Sequence, residues 1–165
     1  YGRADREHPV FMELKKKYRS IVYKRRLTLP YGRALDCLTG DCPWPETQIG
    51  REIGYAMDFY PDLEPRVFLS YERDSWYAPE SGLRITFDDA IRFRTEELTL
   101  DSDPWGTALL GPDQVLMELK APGAIPLWMV RLLTEMRLYK TSFSKYGTAY
   151  QLLLEREWKG GKRYA

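Results

Sequence analysis

An α+β domain built on antiparallel strands is the fold class this sequence predicts. Strand-like segments come in runs, and helices fall between the runs rather than after every strand. The links inside two of those runs are too short for a parallel crossover: a tight turn near Arg19-Ser20, and Pro79-Glu80-Ser81-Gly82. Along most strands polar and apolar residues alternate, as they do when one sheet face meets a core and the other meets water.

The first two strands are expected over residues 9–19 (PVFMELKKKYR) and 21–29 (IVYKRRLTL). The segment LPYGRALDCLTGDCPWP is dense in Gly, Pro and Asp, so it reads as a loop with a short helix at 33–38. Ile49, Ile53, Met57 and Tyr60 recur at helical spacing and stop at Pro61, which predicts a helix over 46–60. Residues 65–78 and 82–98 both alternate and read as a strand pair across the PESG turn. A short strand is expected at 107–110, and VLMELKA at 115–121 is a further strand. Pro126 opens an amphipathic helix over 126–139, and TSFSKYGTAYQLLLEREW reads as a loop followed by a last helix.

Composition narrows the function classes. The chain has 165 residues, 44% hydrophobic and 30% charged, which is enough for a packed core. Net charge is +1, so anion binding has to come from local clustering. Near-neutral charge and the lack of a module signature argue against nucleic acid as a partner. No apolar run approaches the length of a membrane span. One histidine supplies neither a zinc set nor a Ser-His-Asp triad, and no Gly-rich phosphate loop is present. Cys37 and Cys42 lie close enough to pair, although two free thiols are the expected state in a cytoplasmic protein.

Alternate strand residues share a face. Glu13 therefore lies with Lys15, Lys17 and Arg19, and Lys24 lies with Arg26. Tyr71 shares a face with Arg73, and Arg84, Thr86 and Asp88 oppose Leu83, Ile85 and Phe87. Glu118 and Lys120 oppose Val115, Met117 and Leu119. Strand by strand, a solvated sheet face accounts for this, with Arg84 paired to Asp88 and Glu118 to a lysine. As a whole, nearly every strand contributes a cation and few contribute acids. If a curling sheet brings those faces together, the lining suits a polyanion, with the few carboxylates left to hold a divalent cation on it.

The motifs FMELKKK, VYKRR, SYERDSWY, LRITFD, VLMELKAPGAIPLWM and SFSKYGTAY, in this order, carry a resemblance. The chain resembles the catalytic domain of the bacterial vacuolar transporter chaperone (VTC) polyphosphate polymerases, which are triphosphate tunnel metalloenzymes related to the CYTH domain. The likeness runs from about residue 9 to about residue 150. It implies an antiparallel β-tunnel, braced by helices, that binds ATP and polyphosphate or triphosphate. It also implies transfer of the γ-phosphate of ATP to a growing chain with a divalent metal, Mn2+ or Mg2+. Carried over motif by motif, Lys15, Lys24, Arg26, Arg73, Arg84 and Lys145 would be the catalytic cations. Lys17, Lys120 and Ser144 would bind substrate, Glu118 and Glu13 would bind the metal, and Glu13 and Asp88 would position the cations or assist the metal.

The family's tunnel has further strands ahead of the motifs seen here. A single VTC-like domain over 1–165 is therefore expected to be an N-terminally truncated fragment, or to have its missing strands supplied by a second chain. A triphosphatase of the same fold, or a non-catalytic polyphosphate or inositol-phosphate binding module, are the alternatives. A cytoplasmic location is expected.

Overall fold

The computed structural model of the chain describes residues 3–19 and 21–161, with the side chains of all of these except Lys17 and residues 155–161. Two units are distinguished, Tyr1–Pro65 with Thr99–Asp103, and Arg66–Leu98 with Pro104–Ala165.

The first unit is a hairpin covered by helices. β1 (Pro9–Tyr18) and β2 (Ile21–Pro30) pair antiparallel from Pro9↔Pro30 to Tyr18↔Ile21. Arg19, at the turn, takes φ 46°. α1 (Tyr31–Thr39) follows β2 without a linker and so is longer than the expected 33–38. Its early start has a local cause. Pro30 supplies a fixed φ, and the preceding chain satisfies two first-turn donors: Tyr31 N–H donates to His8 O at 2.8 Å and Gly32 N–H to Arg6 O at 2.8 Å. The helix ends on Gly40, in the left-handed region at φ 85°. α2 (Gln48–Phe59) opens on Thr47, whose hydroxyl accepts from Gly50 N–H at 3.0 Å. Leu29, Tyr31, Ala34, Cys37, Ile53 and Ala56 are buried and form this unit's core. Cys37 and Cys42 are both free, with their sulfurs 2.8 Å apart.

The second unit is a four-stranded antiparallel sheet with two helices. β3 (Phe68–Ala78) and β4 (Leu83–Arg94) form its main hairpin. β5 (Thr107–Ala108) and β6 (Leu116–Lys120) both pair with the far edge of β4. Alternation along β4 changes phase at Ala90. Ala90 takes φ 44° and the register shifts between Ser70 and Glu72. The extra residue moves the buried set from Thr86 and Asp88 to Ile91 and Phe93, as a β-bulge does. Gly106 lies against this strand. A Cβ there would stand 2.4 Å from Phe93 O, and its φ of 150° suits only glycine.

α3 (Leu127–Glu135) is shorter than the expected 126–139. Arg137 takes φ 54°, and Leu138 N–H turns back to Leu133 O at 2.8 Å. This is a left-handed helix stop built without glycine. α4 (Lys145–Gly161) begins at Ser144, whose hydroxyl accepts from Gly147 N–H at 3.1 Å.

The fold class is therefore α+β with antiparallel sheets, as expected, but no closed barrel is seen among the described residues. β1 and β2 pair only with each other, and in the second sheet β4 alone is flanked on both edges. Closure requires a neighbour on each side of every strand. None of the helices among the described residues is long and apolar enough to cross a membrane.

Candidate functional site

Register brings the charged residues of the second unit onto one sheet face. Asp88 stands opposite Arg73 of β3 and Leu116 of β6. Thr86 stands opposite Ser75 and Glu118, and Arg84 opposite Tyr77 and Lys120. Directly opposed side chains in an antiparallel pair point the same way. Arg73, Arg84, Glu118 and Lys120 therefore share a face. Trp76 and Phe87 lie on the reverse, in edge-to-face contact at 5.4 Å.

Asp88 is the centre of that face. It is fully buried, yet carries two cations. Arg73 grips it with a fork, Nε to Oδ1 at 2.5 Å and Nη2 to Oδ2 at 2.7 Å. Lys145, brought in at the start of α4, donates its Nζ to Oδ2. Beneath both cations lies the Tyr71 ring, with its centroid 4.9 Å from the Arg73 guanidinium carbon and 4.4 Å from Lys145 Nζ. Burial pushes the Asp88 carboxyl up, but the bonds from Arg73 and Lys145 outweigh it and hold the group below the usual carboxylate range. The same bond from Asp88 holds the Arg73 guanidinium still more firmly charged. The pair Arg84–Asp88 does not form. Four strand residues separate two groups by roughly 13 Å, and Arg84 makes no ion pair among the described residues.

Two further groups complete the picture. Glu118 is half-buried and meets Lys120 Nζ at 3.1 Å. Glu118 and Lys145 both line a cavity of about 570 Å³ together with Tyr139 and Lys140. Lys140 is a cation that the sequence reading did not single out. Ser144 caps α4, which accounts for its hydroxyl locally.

The first unit carries a smaller cluster. Glu13↔Arg26 and Lys15↔Lys24 are cross-strand pairs on one face of the hairpin. Glu13 Oε1 accepts from Arg26 Nε at 2.6 Å and from Lys24 Nζ at 2.6 Å, and Lys15 Nζ lies 3.8 Å from Oε2. The Arg26 guanidinium also lies 4.4 Å from the Phe11 ring centroid. Burial raises the Glu13 carboxyl, and the bonds from Lys24 and Arg26 bring it below its ordinary value. Lys17 has its side chain outside the described ones. On the reverse face Arg25 Nε bonds Glu52 of α2 at 3.1 Å.

A family model, the VTC domain, matches residues 1–154. The chain belongs to the VTC domain family. No curated protein and no solved structure matches it. Membership ties this VTC domain to polyphosphate-polymerase-related function in general terms, and its cationic faces are chemically suited to a polyanion. Among its described residues no group of three or more His, Cys, Asp or Glu gathers to hold a metal. That does not count against a Mg2+-type ion, which uses one or two carboxylates and takes its other ligands from water and substrate phosphate. Glu118, with a single lysine beside it, fits such a role. Glu13, whose Oε1 already takes two cations, fits it poorly.

Tyr71 has no role in the sequence-based expectation, and Asp88 stands there only as a group that positions the cations or assists the metal. The available signal was the Arg-x-Thr-x-Asp alternation in LRITFD, which puts an acid on a cationic face. Its partners depended on register.

Proposed function

We propose that this chain carries the phosphoryl-transfer site of a polyphosphate polymerase. The γ-phosphate of ATP passes to the end of a polyphosphate chain and ADP leaves, in a cation-lined tunnel walled by strand faces of this kind. The observation that carries the reading is the sheet face on which Arg73, Arg84, Lys120 and Lys145 surround Glu118 and buried Asp88. A solvated surface face has no need of a carboxylate fully withdrawn from water to hold two of its cations.

In this reading Arg73 and Lys145 are pre-oriented by Asp88 and bind the transferring phosphate with their remaining N–H donors. Arg84, with no competing carboxylate, offers its whole fork to a second phosphate. Glu118 holds a divalent cation, Mn2+ or Mg2+, and Lys120 lies beside it. Bound there, the ion would neutralise charge on the bridging phosphate oxygens. Lys15, Lys24 and Arg26, ordered by Glu13 on the hairpin of the first unit, are further phosphate ligands. Lys17 and Ser144 are further substrate contacts, and a second chain completes the tunnel wall. ATP as donor goes with a cytoplasmic location.

Incubation of the purified chain with ATP and Mn2+, with products resolved by gel and by phosphorus NMR, tests this. Long polyphosphate supports the polymerase. Free phosphate makes it a triphosphatase of the same chemistry, with water as acceptor. Unchanged ATP together with tight triphosphate binding makes it a binding module. No turnover and no binding overturns the reading.

A further inference from the structure

Among the described residues one buried side-chain polar atom lacks a hydrogen-bond partner, Thr86 Oγ1. Thr86 is 7% exposed, in the middle of β4. A buried hydroxyl left unpaired destabilises a fold, and a valine of the same shape would not. Valine is also a favoured strand residue. Folding therefore gives no reason for the hydroxyl.

Its position gives one. Thr86 lies between Arg84 and Asp88 on the charged face, directly opposite Glu118 across the β4–β6 ladder. Residues so opposed have Cβ atoms about 4.5–5.5 Å apart. A hydroxyl oxygen and a carboxylate oxygen at that spacing can bind one small hard cation. A neutral hydroxyl with one carboxylate and two phosphate oxygens is an established ligand set for phosphate-bound Mg2+.

We propose that Thr86 Oγ1 and Glu118 together hold the divalent cation that arrives on the triphosphate. This rests on the phosphoryl-transfer reading and adds its second protein ligand. Glu118 meets Lys120 at 3.1 Å, and with the two side chains 43% and 64% exposed that pair opens at little cost.

The test uses the whole chain, with preformed Mn2+–triphosphate and metal-free triphosphate titrated separately by calorimetry. Thr86→Val should melt no lower than wild type, because it removes an unpaired polar group. It should bind Mn2+–triphosphate about tenfold more weakly, the worth of one ligand to a charged group, and metal-free triphosphate as tightly as wild type. Thr86→Ser, which restores the hydroxyl, should recover the metal-loaded affinity. Thr86→Val added to Glu118→Gln should have little further effect, because both act on one ion. Wild-type affinity of Thr86→Val for the metal complex, or equal weakening of both ligands, overturns the proposal. If Glu118→Gln loses the preference for the metal complex and Thr86→Val keeps it, the metal site stands without Thr86. A wild type that does not distinguish the two ligands removes the metal from the site, and the broader reading loses its cofactor too.

Discussion

Arg73 and Arg84 lie on the same sheet face and come from motifs of similar specificity, yet the structure separates them sharply. Replacing each by lysine keeps the charge and removes the fork. Arg73 makes two charge-assisted bonds to Asp88, at 2.5 and 2.7 Å. A lysine amine can keep one at most. Bonds of this type contribute about 1.5–3 kcal/mol each. Lys145 still serves Asp88 in the variant, and the Arg73 side chain is 36% exposed. A loss of about 1–2 kcal/mol is therefore expected. For a chain of this length that lowers Tm by roughly 2–8 °C. Arg84→Lys breaks no bond within the described residues and should melt with the wild type. Both variants should lose affinity for triphosphate, since a lysine cannot copy the planar fork. Differential scanning calorimetry and titration calorimetry on the three proteins supply all the readings. An Arg73→Lys protein that melts with the wild type would refute the reasoning, because Asp88 would then not depend on the fork. Wild-type triphosphate affinity in both variants would remove the two arginines from the site.

Other outcomes follow from the same geometry. Asp88 has its folded-state pKa depressed, so its contribution is present above the ordinary carboxylate range and is lost as pH falls through the folded value. The stability gap between wild type and Asp88→Asn should therefore be widest near neutrality and narrow in acid, and urea titrations at several pH values that show a constant gap would contradict it. Gly106→Ala should cost about 1–3 kcal/mol from backbone strain against Phe93 O while leaving triphosphate affinity intact, because β5 lies beyond the charged end of β4. Triphosphate should raise Tm at low salt and progressively less as salt rises, and a Tm indifferent to the ligand would favour a merely solvated face.

Much of the architecture was legible because it rests on local rules. Period-two alternation placed Glu13 with Lys15, Arg84 with Asp88, and Glu118 with Lys120 on the correct faces, and the structure keeps each set. The ends of helices were less legible where the deciding group was distant or unusual. α1 begins early because Arg6 and His8 supply carbonyls to its first turn. α3 stops early on an arginine in the left-handed region, where glycine or asparagine is the usual signal. The bulge at Ala90 has no marker in the sequence, yet it allows buried Asp88 and buried Phe93 to share one face.

The partners of charged groups were the hardest to read, and the reason is physical. Faces follow from a chain's own geometry, but contacts across a ladder follow from register, and a slip of one residue exchanges every pair. A pair between Arg84 and Asp88 was the alternative to a ligand role for Arg84, because both alternate outward in one strand. The Ala78–Leu83 turn instead sets Asp88 against Arg73, and the fold of the C-terminal segment delivers Lys145 to the same carboxylate from 57 residues away. The consequence is chemical as well as structural. An arginine paired with its strand neighbour would have been a surface charge with little to contribute. With Asp88 taken by Arg73 and Lys145, Arg84 has no carboxylate partner among the described residues, and on the proposed function its fork is what a phosphate would meet beside two cations already fixed in direction.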